Sequence, residues 1–186
     1  ALTADDDTLP TGDPGLLAPE AVGVAQAKDA KGIGIIPHRI EWNRTDYIEA
    51  LKALPGVRLI DYNSEDCTGI VEEMAACERI YSSSLHGLVV ADALGIPNYR
   101  FVGRKFAGNG HHFKYFDYAL SVGRDVSRPV DVFEHPKTGT VRPEDTAYLA
   151  NIPAKKAEIA GSFPYHVFGG DPARAEALIK GLGLPG

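Results

Sequence analysis

Cysteine is nearly absent. Cys67 and Cys77 are the only two in 186 residues, and they form no Cys-x-x-Cys pair. That excludes a disulfide scaffold or a thiolate zinc site and fits two free thiols in a reducing compartment. Long apolar runs are missing as well: no stretch approaches the ~20 residues that cross a bilayer, and the opening residues carry no secretory pattern. A cytoplasmic setting is therefore expected, extending at most to the inner face of a membrane. Positive charge is in deficit, with 19 Lys and Arg against 25 Asp and Glu and a formal net charge of -6. This argues against a general nucleic-acid binder while leaving room for a local basic pocket. Gly-x-Ser-x-Gly, a phosphate-binding P-loop and a full Gly-x-Gly-x-x-Gly are all lacking. The glycines of "GIGIIPH" fall at the start of a strand pattern rather than after it.

What remains is ordinary for a globular chain: 44% apolar and 24% charged residues, long enough for one good core or two small ones. The acidic, then Pro- and Gly-rich opening "ALTADDDTLPTGDPG" predicts an exposed lead-in. Residues 1–30 are expected to be a linker from a missing N-terminal half. "GIGIIPH" predicts a buried strand. "TDYIEALKALPG" predicts a helix capped by Thr45 that buries Tyr47, Ile48, Leu51 and Leu54. "VRLIDY" is the next strand. "SEDCTGIVEEMAACE" is a helix with Ile70, Val71, Met74 and Ala75 inward. "RIYSSS" is a third strand, "LHGLVVADALG" a third helix and "IPNYRFV" a fourth strand. Four strand–helix alternations with short connections predict an α/β domain, a Rossmann-like parallel sheet with helices on both faces, over residues 31–124. A helix is expected over Phe113 to Val122. Residues 125–186 are expected to pack on this core as an irregular Pro-rich segment followed by helices, one of them capped by Asp171 with Pro172 at its first position.

In parallel sheets the ligand crevice lies beyond the carboxyl ends of the strands. Two features fall there: Pro37-His38-Arg39 after the first strand, and Ser82-Ser83-Ser84-Leu85-His86-Gly87 after the third. A helix begins with unpaired N–H groups and partial positive charge, which favours an anion. Ser83 or Ser84 is placed to cap that helix, Gly87 to admit a ligand to the backbone, and His86 to hold an anion and donate a proton. Arg100, Arg104 and Lys105, with His111, His112 and Lys114 behind them, form a basic cluster after the fourth strand. The adjacent His111 and His112 lack a spaced carboxylate or thiol partner, so no metal site is expected. Asp92, six residues past His86, faces away from it and is expected to be structural; Asp61 is a candidate for lining the crevice.

"YSSSLHGLVVADALGIPNYRF" resembles the signature of the polysaccharide pyruvyltransferase family. "GIIPH", "FKYFDYALSVG", "TGDPGLLAP" and "AEIAGSFPY" are similar to further segments of that family, in the same order. The resemblance implies the C-terminal, donor-binding domain of a glycosyltransferase-B (GT-B) type enzyme. Such an enzyme transfers the enolpyruvyl group of phosphoenolpyruvate to two hydroxyls of a sugar in cell-surface or exopolysaccharide biosynthesis, forming a pyruvate ketal. It implies no cofactor beyond phosphoenolpyruvate as donor substrate, and a saccharide or lipid-linked saccharide as acceptor. Some members carry Arg where Ser84 stands; here Arg39, Arg100, Arg104 or Lys105 is expected to supply that charge. His86 is the expected donor-contacting acid. His38 is expected to assist binding or proton transfer, and Ser83, Ser84, Leu85 and Gly87 to contact the donor. Two other functions suit the same residues: a nucleotide-sugar-dependent GT-B glycosyltransferase, and a non-catalytic sugar- or anion-binding domain.

Overall fold

The computed structural model describes residues 11–103, 113–125 and 129–162. Its centre is a four-stranded, all-parallel sheet: β1 (Ile33–Ile36), β2 (Val57–Leu59), β3 (Arg79–Ser82) and β4 (Asn98–Arg100), in the order β2-β1-β3-β4. Ile35 of β1 pairs with Leu59 on one side and Tyr81 on the other, and Ser82 pairs with Arg100. Parallel strands need crossovers, and each is a helix. α2 (Thr45–Lys52) leads to β2, α3 (Cys67–Ala75) to β3 and α4 (Leu85–Ala93) to β4. This is the expected α/β, Rossmann-like architecture.

The chain steps from β1 to β2 in one direction and from β3 to β4 in the other. Crossovers of constant hand then put the helices on opposite faces. Ile36, Ile60 and Ile80 pack with Val71 and Met74 of α3 and Val90 of α4 on one face. Ile35 and Tyr81 pack with Tyr47, Leu51 and Leu54 on the other. Gly34 is glycine because a Cβ there would meet Ile80 Cδ1 at 2.5 Å and Cys77 Sγ at 3.0 Å. α4 is buried from Gly87 to Asp92. It is a helix enclosed on all sides, as an apolar run without clear amphipathic period requires. Asp66 caps α3 by accepting from Gly69 N at 2.8 Å. Thr45 does not cap α2; it is the first helical residue, and the preceding Arg44 makes no side-chain cap bond.

Two further sequence expectations are corrected. The lead-in expected over residues 1–30 folds onto the core in its later part. A short turn over Pro14–Leu17 and the helix α1 (Ala18–Val22) bury Leu16 against Val89 and Tyr118. The stretch expected to be irregular contains α6 (His135–Thr138), α7 (Pro143–Thr146) and a 3-10 turn over Ala147–Asn151. α5 (Phe113–Val122) is where periodicity predicts it, with Tyr115, Tyr118, Ala119 and Val122 inward. α8 (Ile152–Ser162) packs on the same cluster as Leu16. Buried Lys156 of α8 bridges Glu20 of α1 and the Ala93 carbonyl of α4 (2.7 Å), so three helices share one cation.

Beyond β4 the sheet's margin is closed. Val130 donates its N–H to the Arg100 carbonyl at 2.8 Å, and Phe101 and Val130 form a parallel bridge. Arg124 Nη2 donates to the Asn98 carbonyl at 2.7 Å. The same guanidinium meets Asp92, which is fully buried and also accepts from Tyr118 (2.8 Å), Tyr148 (2.5 Å) and Asn98 Nδ2 (2.6 Å). Asp92 is thus structural, as expected. The helix expected from Asp171 lies outside the described residues.

Candidate functional site at the strand ends

The direction of chain travel reverses between β1 and β3. In open parallel sheets the crevice at such a reversal, outside the carboxyl ends of the strands, is where ligands bind. His38 lies two residues past β1, and Ser83 and Ser84 directly follow β3. The two sequence features therefore meet at one switch point.

Side-chain bonds to backbone weld this junction. Ser83 N donates to Ile36 O at 3.0 Å, extending the ladder beyond β3, and His38 N donates to Ser83 Oγ at 2.8 Å. Ser82 Oγ donates to Ser84 O (2.8 Å) and accepts from Ser84 N (3.0 Å). The hydroxyl run thus divides. Ser82 and Ser83 are buried and tie β1 to β3. This corrects the expectation that Ser83 lies open to a phosphate, because the residue is 3% exposed and its oxygen accepts from the His38 amide inside the junction. Ser84 sits at the N-cap position of α4 with no side-chain cap bond and is half-buried. Among the described residues its hydroxyl has no partner.

Gly87 also differs from expectation. It is buried, and a Cβ on it would strike Ser82 Oγ and approach Ile36 at 3.1 Å. Its missing side chain admits strand rather than ligand, seating the first turn of α4 against β1 and β3. Leu85 is half-buried among Val89, Tyr118 and Tyr115 and lends the site only backbone. His86 is exposed, and its ring makes no hydrogen bond or ion pair among the described residues. Tyr62, just past β2, donates to Met74 Sδ (3.0 Å) and to the His86 carbonyl (3.5 Å), bracing this turn from the far side. Burial pushes the Tyr62 hydroxyl well above its ordinary range, so it stays a neutral donor. Asp61 is exposed and accepts from the amide and side chain of Asn63 (2.8 and 2.7 Å), forming a turn.

Cations come from two further elements. Arg100, the last residue of β4, is 6% exposed, and its guanidinium lies 4.3 Å over the Tyr115 ring. Tyr115 in turn donates to Ser83 O at 2.7 Å. Lys114 Nζ lies 5.3 Å from the same ring. α5 therefore reaches across the strand ends and links β4 to the β3 junction. The helical period put Tyr115 inward, but nothing in the spacing encoded its bond to Ser83. Arg39 is exposed in the 3-10 turn after β1. Gly103, three residues past β4, lies close against the turn after β1, since a Cβ there would meet Glu41 Oε1 at 2.5 Å. Arg104, Lys105, His111 and His112 lie outside the described residues.

His38 is held below the ordinary histidine value of 6.5, first by burial, then by the charges of Lys114 and Arg39, with Glu41 opposing. His135 is lowered in the same way, by burial and then by Arg79; its Nδ1 lies 2.9 Å from the Tyr81 hydroxyl. For both, the unfolded chain takes up its proton at higher pH than the folded one. Their contribution is fully present above the unfolded value and is lost as pH falls through the lowered folded value. The urea midpoint is expected to fall between pH 7.5 and 5.5, and to fall less in His135→Phe. A midpoint that rises on acidification would contradict this assignment.

No family model matches the sequence, and no solved structure matches it. An uncharacterized protein of Acanthamoeba polyphaga mimivirus is 34% identical over 125 residues, 66% of this chain. The chain spans 42% of that protein's length.

Proposed function

We propose that this domain binds phosphoenolpyruvate at the β1–β3 switch point. We further propose that it forms the donor half of an enzyme transferring the enolpyruvyl group to a sugar as a cyclic ketal. The observation that carries the proposal is the meeting of Ile-Pro-His with Ser83, the residue that leads into Ser-Leu-His-Gly, through the His38 N to Ser83 Oγ bond, 45 residues apart. Those are the segments on which the family resemblance rests. Further support comes from charge: Arg100, Lys114 and Arg39 surround the junction, and the α4 N-terminus opens on it. A ligand with one phosphate and one carboxylate suits such a site.

The chemistry assigns roles. A proton goes to the methylene carbon, leaving an oxocarbenium-like centre at the adjacent carbon. One sugar hydroxyl adds there and gives up its proton. The C–O bond to phosphate breaks, and a second hydroxyl adds and gives up its proton. His86, exposed on the first turn of α4, is the donor-side acid. His38, tied to Ser83 at the end of β1, assists binding or proton transfer. Ser84 and the α4 amides take phosphate oxygens, and Arg100 and Lys114 balance the anion.

Calorimetric titration with phosphoenolpyruvate tests this. Binding is expected, with about tenfold loss in His86→Ala. Affinity is also expected to rise from pH 7.5 to 6, since a bound anion favours the imidazolium form of His38, which burial and the charges of Lys114 and Arg39 disfavour in the free domain. A preference for nucleotide sugars would replace the donor, and indifference to both would reject the site.

A further inference from the structure

A cavity lies beside the α4 N-terminus. Its volume is about 290 Å³, and its walls are Thr11 to Asp13 of the lead-in and Lys114, Asp117 and Ser121 of α5, over a floor of Leu85 and Tyr118. Lys114, Asp117 and Ser121 recur at helical spacing and so form one stripe of α5. Leu85 is the residue after Ser84, and the charge of Lys114 is among those acting on His38. The cavity therefore lies next to the switch point, with Lys114 Nζ 5.3 Å from the ring of Tyr115, which donates to Ser83 O.

The polar groups of this cavity have unused capacity. Asp117 makes no hydrogen bond or ion pair among the described residues, and Lys114, although three residues away on the same stripe, does not pair with it. Asp13 uses one oxygen to accept from Gly15 N at 2.8 Å, leaving Oδ2. Ser121 donates to the Tyr118 carbonyl at 2.7 Å and keeps its lone pairs. The Thr11 hydroxyl is uncommitted among the described residues. Two carboxylates against one ammonium make a poor seat for a phosphate and a good one for adjacent hydroxyls. Carboxylates accept from neighbouring O–H groups, the ammonium donates to a ring or hydroxyl oxygen, and the Leu85 and Tyr118 floor meets C–H groups. The volume lies just below the ~300–1,000 Å³ typical of drug-sized ligands, which suits one sugar ring.

The geometry points to this cavity as a binding site for a neutral, polyhydroxylated ring, with Asp117, Asp13 and Lys114 as its polar contacts. Its role as the seat of the acceptor rests on the donor reading above; the binding itself does not. Substituting exposed Asp117 on a helix surface leaves the core untouched, so a lost signal in the Asn variant is not a lost fold.

The test is an amide-resolved NMR titration of the labelled chain with methyl glucosides and methyl galactosides, and separately with methylammonium and with phosphoenolpyruvate. A glycoside is expected to shift Gly12, Lys114, Asp117 and Ser121 saturably. The affinity is expected to fall about tenfold or more in Asp117→Asn and to stay unchanged in the exposed-surface variant Asp29→Asn. Absence of shifts at these residues, equal binding in Asp117→Asn, or tighter binding of methylammonium would overturn the inference. Phosphoenolpyruvate is read on Ser84 to Gly87. Its failure to bind while a glycoside shifts the cavity would defeat the donor reading and support this site.

Discussion

Asp92→Ala is expected to lower the unfolding free energy by about 3–5 kcal/mol, the range for removing one partner of a buried ion pair. The carboxylate is fully buried and faces four donors: Arg124 Nη1 at 3.2 Å, two tyrosine hydroxyls and the Asn98 amide. Alanine leaves a 6% exposed guanidinium without its counter-charge and strands two phenol protons. Arg124 would keep Asn98 Oδ1 (2.6 Å) and O (2.7 Å), so the helix α5 that leads into it stays tethered to β4 while the net charge goes uncompensated. Urea denaturation followed by circular dichroism reads the loss. The double variant Asp92→Leu, Arg124→Met is expected to lose less than Asp92→Ala alone, because it removes both charges together. A single variant as stable as the parent would contradict the network.

Gly87→Ala is expected to act on stability and binding together. The new methyl would press on Ser82 Oγ and Ile36, neither of which has room to yield: both are 0% exposed. Overpacking of this kind costs about 1–3 kcal/mol. Relief requires the first turn of α4 to lift from the sheet. That displaces the Ser84 N-cap and the amides proposed to hold the donor. Phosphoenolpyruvate affinity is expected to drop about tenfold or more at a temperature where the variant remains folded. Calorimetry after a thermal melt separates the two effects. Unchanged affinity in a folded Gly87→Ala chain would detach α4 from donor binding.

Much of the fold was legible because local patterns agreed with it. Tyr47, Ile48, Leu51 and Leu54 recur at helical spacing and are all buried. The strands are short, β1 is a β-branched run ended by Pro37, β3 runs into the serines, and the alternation with helical segments left little besides a parallel sheet. The packing of the lead-in is not legible because its buried residue Leu16 sits in a Pro- and Gly-rich context, and its partners Val89 and Tyr118, like the Lys156 that meets Glu20, are far along the chain. The short helices after residue 130 were missed for a related reason: each is four residues long and starts with Pro at its first or second position, where proline also marks loops.

At the candidate site, residue types were legible and their division of labour was not. Three consecutive serines look equivalent in sequence. Hydrogen bonds across 45 residues make one a strand tie and leave another open. Gly87 looked like room for a ligand, and the Ser82 side chain behind it could not be foreseen from spacing. Tyr115 and Lys114 were visible as part of α5, but their reach over β3 depends on where that helix docks.

The β4 margin has a further consequence. A sheet edge with bare carbonyls is a template on which a neighbouring molecule can add a strand. Here the outward carbonyls of Asn98 and Arg100 already receive the Arg124 guanidinium and the Val130 amide. At this border the domain resists edge-to-edge growth into fibrils or tangled multimers, and the residue that quenches it, Arg124, is the same one that neutralises Asp92. Loss of Arg124 would therefore unseat a buried charge and reopen a seam for self-association in one stroke.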